Sequence, residues 1–161
     1  LIPVLEYFRV AGCGLDVAER SLLLEAPPRL HRIPTVRTMA YPGFPTDAQP
    51  PVLAMSTVAD GTSVFVENIF ENRFRYVDEL VRMGAKIKVE GRVAVVEGVP
   101  RLSGAKTEAT DLRGGAAVVV AALGADGRTE IGNIGHIRRG YEDLEGCLSS
   151  VGASIWEEKE E

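Results

Sequence analysis

Two short segments of this chain place a carboxylate at the predicted start of a helix. Asp47 lies in Pro45-Thr46-Asp47-Ala48-Gln49, Asp111 lies in Ala109-Thr110-Asp111-Leu112-Arg113, and each segment precedes an apolar stretch that ends at Asp-Gly. The free amides and the dipole of a helix N-terminus favour anions. A carboxylate in that position can bind a hydroxyl group or accept its proton. The two segments therefore predict the halves of one site that handles anions.

The segment around Asp47 is compatible with two local structures. In a capping box, Thr46 would accept a hydrogen bond from an early amide of the helix, and Gln49 would reach back. The following Pro50-Pro51 lacks two amide donors, so the helix could instead begin near Pro50 with Asp47 on the preceding turn. The sequence leaves both structures open, and both keep Asp47 beside a helix N-terminus.

Arg113 falls in the first turn of its predicted helix, where the helix dipole disfavours a cation. This position predicts a partner anion for Arg113, and an ordinary surface arginine is the alternative. Gly114-Gly115 in the same turn weakens the helix but permits the close approach of another group.

Two arginine-containing loops occupy equivalent positions in the repeated pattern of the chain. They are Phe70-Glu71-Asn72-Arg73-Phe74 and His136-Ile137-Arg138-Arg139-Gly140. The guanidinium fork holds carboxylate and phosphate groups through paired hydrogen bonds, so two converging loops could bind a small, doubly anionic substrate. Ordinary ion pairs with Glu71 or Glu142 are the competing explanation.

Composition limits the class of protein. The 161 residues, 45% apolar and 25% charged, are typical of a soluble globular domain. A net charge of -5 argues against nucleic acid or a membrane surface as the main partner. The two cysteines and two histidines show neither a disulfide framework nor metal-ligand spacing, so we expect no metal, no cofactor and a reducing, cytoplasmic location. No apolar run is long enough to cross a bilayer.

A repeated unit must position these side chains. Three amphipathic helices, each predicted to be followed by a strand, end at Gly12, Gly84 and Gly152, roughly 70 positions apart. Between them, two Asp-Gly pairs each lead into a further strand. Each unit therefore reads strand, helix, strand, helix, strand, strand, and we divide the chain into a partial unit 1–37, a unit 38–100 and a unit 101–161.

The first of these units opens directly in its second helix. We therefore expect residues 1–161 to form a single α+β domain that is truncated at its N-terminus. The absent strand and helix would leave an apolar face uncovered, which predicts self-association or modest stability.

Several motifs, taken together and in this order, closely resemble the UDP-N-acetylglucosamine 1-carboxyvinyltransferases, a family of enolpyruvyl transferases. The resemblance spans nearly the whole chain and implies one domain of the family's inside-out α/β barrel fold, built from repeated βαβαββ units, with substrates in the cleft between two such domains. It is carried by the motifs Tyr41-Pro42-Gly43-Phe44-Pro45-Thr46-Asp47-Ala48-Gln49, Phe70-Glu71-Asn72-Arg73-Phe74, Arg101-Leu102-Ser103-Gly104-Ala105, Ala109-Thr110-Asp111-Leu112-Arg113 and Arg139-Gly140-Tyr141-Glu142.

The resemblance also implies a reaction and a role for each motif. The family transfers the enolpyruvyl group of phosphoenolpyruvate to the 3-hydroxyl of UDP-N-acetylglucosamine and releases phosphate. Asp47 would be the base or hydrogen-bond acceptor at that hydroxyl. The remaining implied roles are packing beside the sugar nucleotide for Ile69 and Phe70, binding of phosphoenolpyruvate for Arg73 and Arg139, and lining of the reacting centre for Asp111 and Arg113.

The other catalytic residues of the family belong to a domain that no part of this chain matches. We therefore expect the isolated chain to fold without being catalytically complete. Two alternatives remain: a shikimate-pathway enolpyruvyl transferase, which should lack the Phe-Pro-Thr-Asp and Phe-Glu-Asn-Arg-Phe sequences, and a binding or scaffold module of the same fold without catalysis.

Overall fold

A computed structural model describes residues 2–158 as an α+β fold of short strands and helices. None of the helices in this described part is long and apolar enough to cross a membrane. In chain order the elements are α1 (Ile2–Val10), β1 (Gly14–Val17), β2 (Leu22–Glu25), β3 (Thr35–Arg37), a 3-10 turn (Thr46–Ala48), α2 (Gln49–Ser56), β4 (Thr62–Val66), a second 3-10 turn (Arg73–Tyr76), α3 (Val77–Arg82), β5 (Lys86–Glu90), β6 (Val93–Glu97), β7 (Lys106–Glu108), α4 (Leu112–Leu123), β8 (Glu130–Gly132), α5 (Gly135–Arg138) and α6 (Leu144–Ser150).

The three predicted glycine stops end three helices. Gly12, Gly84 and Gly152 have φ of 91°, 94° and 99°, the left-handed conformation in which a residue without a Cβ is favoured. They follow α1, α3 and α6. The expected strand follows the first two stops, as β1 and β5. The expectation is wrong for the third, because residues 153–158 contain no strand.

The middle of the chain follows the expected order of strands and helices. One four-stranded sheet has the order β3-β4-β6-β5, with β3 parallel to β4 and the other pairs antiparallel. The strand that opens this order, β3, ends just before residue 38, where the second unit was predicted to begin. It nevertheless pairs with β4, a strand of that unit. Two smaller sheets flank this one: the antiparallel hairpin β1-β2 and the parallel pair β7-β8.

Helices α2 and α4 pack against each other in the core. Gly114 and Gly115 allow α4 to approach its neighbours closely. A Cβ built at Gly115 would lie 2.6 Å from Cγ1 of Ile137, and one at Gly114 would lie 2.8 Å from Cβ of Tyr76. The helix therefore forms despite two residues of low helix propensity, because their lack of a side chain permits this packing.

The capping box considered for Thr46 and Gln49 is wrong. The hydroxyl of Thr46 donates to Glu67, and the side-chain oxygen of Gln49 accepts from the hydroxyl of Tyr76. Helix α2 begins at Gln49 with a proline in its first turn, and Asp47 lies on the preceding 3-10 turn. The alternative placement is confirmed, as the missing amides of the two prolines favour.

Candidate active site

The carboxylate of Asp47 lies between two guanidinium groups that come from separate parts of the chain. Oδ1 accepts a hydrogen bond from Nη2 of Arg73 at 2.7 Å, and Oδ2 accepts one from Nη2 of Arg113 at 3.0 Å. The Asp47 side chain remains 54% exposed. The structure therefore holds an accessible carboxylate in a fixed orientation, with positive charge on both sides.

The fold brings Arg73 and Arg113 to Asp47 from separate elements. Arg73 begins the 3-10 turn that leads into α3, and its guanidinium stacks over the ring of Phe70 at 5.1 Å. Arg113 lies in the first turn of α4, which packs beside α2. The predicted partner anion of Arg113 is thus Asp47, at the start of the neighbouring helix.

Asp111 makes the contacts of a helix cap. Its Oδ1 accepts hydrogen bonds from the amides of Arg113 at 3.0 Å and Gly114 at 2.8 Å, and its Oδ2 accepts one from the Thr110 hydroxyl at 3.3 Å. The predicted helix start is confirmed. These contacts fix the first turn of α4, and so the position of Arg113, while a direct role of Asp111 toward a substrate stays a prediction.

Ile69 and Phe70 lie at the rim of this site. These residues are 43% and 50% exposed, and their amides donate to the carboxylate of Glu67. The loop therefore places two apolar side chains beside the Asp47 cluster, and hydrogen bonds to Glu67 hold its backbone.

Among the described residues, no hydrogen bond or ion pair joins Arg139 to Asp47, Arg73 or Arg113, so its predicted place at the site stays a prediction. Its guanidinium lies 2.6 Å from Nδ1 of His136. Tyr141, two residues further along the chain, accepts a hydrogen bond from Nη1 of Arg113 at 2.9 Å. Arg138, by contrast, forms ion pairs with Glu145 and Glu157.

The ion pairs proposed within the arginine loops do not form as expected. Glu71 pairs with Arg92 at 3.4 Å, whereas Arg73 pairs with Asp47. Among the described residues the ion pairs of Arg138 are with Glu145 and Glu157, and none involves Glu142.

The charges around Asp47 set the protonation of the cluster. Burial raises the pKa of Asp47, but hydrogen bonds from Arg73 and Arg113 and the attraction of both charges outweigh it, so this pKa lies below its ordinary value. The hydrogen bond to Tyr141 raises the pKa of Arg113; burial opposes the rise, and Asp47 adds to it. At neutral pH the cluster is a carboxylate between two cations.

Tyr141 lies at the site although no site role was predicted for it from the sequence. A signal was present, because Tyr76 and Tyr141 occupy equivalent repeat positions, as do Gln49 and Arg113. Tyr76 bonds to Gln49 at 3.2 Å, and Tyr141 accepts from Arg113. In both places a tyrosine therefore binds a residue at the start of a helix. The pair Tyr76–Gln49 is buried, and the pair Tyr141–Arg113 lies at the site.

No group of three or more His, Cys, Asp or Glu side chains suited to a metal ion occurs within residues 2–158. The polar side chains joined to one another around Asp47 are its carboxylate, two guanidinium groups and a phenol. Such an arrangement can bind an anion through the arginines and a hydroxyl group through the carboxylate.

Comparison with known proteins defines the class to which this fold and site belong. The chain belongs to the EPSP synthase (3-phosphoshikimate 1-carboxyvinyltransferase) family, whose sequence profile matches residues 3–148. The matched residues include all but the first residue of α1, every element from β1 through α5, and most of α6.

Two relatives and one solved structure illustrate the similarity. The chain is 54% identical over 156 residues to a UDP-N-acetylglucosamine 1-carboxyvinyltransferase of Desulfofundulus thermocisternus, covering 97% of this chain and 64% of that protein. It is 49% identical to UDP-N-acetylglucosamine 1-carboxyvinyltransferase 2 of Caldanaerobacter subterraneus subsp. tengcongensis, covering 96% of this chain and 37% of that protein. Among solved structures, the enolpyruvyl transferase NikO from Streptomyces tendae matches with a TM-score of 0.86 and 31% identity, covering 97% of this chain and 36% of that one.

Proposed function

We propose that this chain is part of an enzyme that transfers the enolpyruvyl group of phosphoenolpyruvate to the 3-hydroxyl of UDP-N-acetylglucosamine and releases phosphate. Relatives that share about half of its residues carry the name of that activity. The same proposal includes a place at the first committed step of peptidoglycan precursor synthesis and a cytoplasmic location.

The geometry around Asp47 is the observation that supports the proposal most directly. A transferase of this kind needs a carboxylate within hydrogen-bond reach of the accepting hydroxyl and cations for the phosphate and carboxylate of the donor. Asp47 is accessible, and Arg73 and Arg113 are already in contact with it. One site thus offers both kinds of group within a few ångströms.

Each remaining residue has a role in this scheme. Ile69 and Phe70 would contact the sugar nucleotide through their exposed side chains. Arg73 and Arg139 would bind phosphoenolpyruvate. Asp111 would keep the first turn of α4 in place and Arg113 would stabilise charge at the reacting centre.

The ion pairs of the free site also suggest how Asp47 gains basicity. A carboxylate whose pKa is lowered accepts a hydrogen bond well but is a weak base. When an anionic substrate draws Arg73 or Arg113 away, the carboxylate loses part of that stabilisation and its pKa rises. Binding of phosphoenolpyruvate would then prepare Asp47 to take the proton of the sugar hydroxyl.

The chain spans 64% and 37% of the length of these two relatives. The proposal therefore includes a second group of residues, on an N-terminal domain of the intact enzyme, that completes the site. Residues 1–161 would form one domain of that assembly, and the isolated chain would lack turnover.

Phosphate release by a chimaeric protein tests the proposal. The part of this chain that aligns with the Caldanaerobacter relative would replace the aligned segment of that protein. Phosphate would be measured after addition of UDP-N-acetylglucosamine and phosphoenolpyruvate. We expect turnover by the chimaera, none by the isolated chain, and a loss of roughly 100-fold or more for Asp47→Asn because an amide cannot take up the proton of the hydroxyl. Asp60→Asn is the matched control, since Asp60 is an exposed aspartate that pairs with Arg29 at 3.7 Å.

The alternatives give different outcomes in the same assay. Turnover with shikimate 3-phosphate in place of the sugar nucleotide would favour the shikimate-pathway enzyme. A chimaera that binds the uridine nucleotide without releasing phosphate would favour a scaffold. Robust turnover by the isolated chain would contradict the claim that a second domain completes the site.

A further inference from the structure

A buried carboxylate lies directly beneath the candidate site. Glu67 follows strand β4 and is 1% exposed. We propose that Glu67 is a positioning residue that fixes the turn carrying Asp47 and the loop carrying Ile69 and Phe70 relative to each other. The inference rests on the proposed function for its catalytic consequence.

The two oxygens of Glu67 bind different segments. Oε1 accepts hydrogen bonds from the Thr38 hydroxyl at 2.8 Å and from the amides of Ile69 at 2.8 Å and Phe70 at 3.0 Å. Oε2 accepts one from the Thr46 hydroxyl at 3.0 Å. One side chain thus joins the end of β3, the loop after β4 and the turn before α2.

Thr46 connects Glu67 to the exposed cluster. Its hydroxyl binds Glu67, and its carbonyl accepts a hydrogen bond from Nη2 of Arg73 at 3.0 Å. The same Nη2 binds Asp47, the next residue along the chain. A displacement of Thr46 would therefore move both the carboxylate and the guanidinium that holds it.

A carboxylate suits this position because it accepts from four donors at once. Burial of a charge is costly unless hydrogen bonds compensate it. Two hydroxyl groups and two amides supply that compensation here. Glutamine, with a single acceptor oxygen, could not accept all four hydrogen bonds.

A pH titration of Asp47 tests the positioning role without requiring activity. The side-chain carboxyl of Asp47 would be followed by 13C NMR in the 161-residue chain and in Thr46→Val, which removes the hydroxyl at nearly constant volume. Thr46→Ser keeps the hydroxyl. Thr57→Val is the matched control, because it deletes a buried threonine hydroxyl that bonds to the Ala54 carbonyl at the other end of α2.

We expect the pKa of Asp47 to rise in Thr46→Val, since the carboxylate loses its fixed geometry between the arginines. It should stay at the wild-type value in Thr46→Ser and Thr57→Val. An unchanged pKa in Thr46→Val, or an equal rise in Thr57→Val, would overturn the inference.

The chimaera described above supplies the catalytic readout. Thr46→Val should lower kcat by roughly tenfold or more, with a smaller effect on KM for phosphoenolpyruvate, because misplacement of a reacting group affects the chemical step. Thr46→Ser should restore kcat. An inactive parent chimaera would contradict the proposed function while leaving the NMR titration to decide the role of Glu67.

Discussion

Two arginines from separate parts of the chain fix the orientation of the Asp47 carboxylate. Arg73 lies in the 3-10 turn before α3, whereas Arg113 lies in the first turn of α4. The sequence predicted a partner anion for Arg113, because the helix dipole disfavours a cation in the first turn of a helix. It could not predict that the partner is Asp47, since that contact depends on how closely α2 and α4 pack.

The ion pairs predict a pH-dependent contribution of Asp47 to stability. The folded-state pKa of Asp47 is depressed, so its contribution is present above the unfolded value of about 3.9 and is lost as pH falls through the folded pKa. At neutral pH, Asp47→Asn should lower the free energy of unfolding by about 0.5 kcal/mol, because exposed pairs are largely screened. Urea denaturation at pH 7 and below pH 4 measures the difference.

Salt supplies the control for this prediction. At about 1 M salt the Debye length is near 3 Å, so the difference between wild type and Asp47→Asn should shrink at pH 7. A difference in stability that is the same at both pH values and in both salt conditions would contradict the electrostatic account of Asp47.

At the scale of elements, the sequence predicted helix ends better than helix beginnings. Gly12, Gly84 and Gly152 each require the left-handed conformation, a local property of one residue. The start of α2 was ambiguous because Thr46 and Gln49 can cap a helix or bind elsewhere. Their partners, Glu67 and Tyr76, are distant in sequence, and this tertiary contact decides the local structure.

Helix α4 offers a test of close packing at its glycines. Replacing glycine by alanine within a helix ordinarily stabilises it by about 1 kcal/mol. At Gly115 the added Cβ would lie 2.6 Å from Ile137 Cγ1 and 3.0 Å from Ala109 Cβ. We therefore expect Gly115→Ala to destabilise the chain by about 1–3 kcal/mol, as overpacked cores do.

The matched variant for this test is Gly135→Ala. Gly135 begins α5, and a Cβ built there meets nothing within 4 Å. Thermal or urea unfolding should show no loss of stability for this variant. A Gly115→Ala protein as stable as Gly135→Ala would show that α4 can move away from its neighbours without cost.

At the scale of the molecule, apolar side chains remain uncovered on the hairpin β1-β2. Val17 and Leu23 are 54% and 59% exposed, and the hairpin pairs with no third strand among the described residues. We expect the isolated chain to self-associate through this surface, since exposed apolar patches and free strand edges favour association.

Light scattering over a range of protein concentrations measures this association. Leu23→Lys should reduce the average mass, because it places a charge on the hairpin. Val151→Lys changes an 80% exposed residue near the end of α6 and should leave the mass unchanged. A monodisperse monomer at high concentration of the unmodified chain would contradict the expectation.

Asp47 is proposed to accept a hydrogen bond from the 3-hydroxyl of the acceptor sugar. The most direct test is the distance between the Asp47 carboxylate and the sugar 3-hydroxyl in a crystal structure of the chimaera with UDP-N-acetylglucosamine. We predict a separation of about 2.5–3.0 Å, within hydrogen-bond reach. A fully occupied sugar nucleotide whose 3-hydroxyl makes no contact with Asp47 would contradict the account.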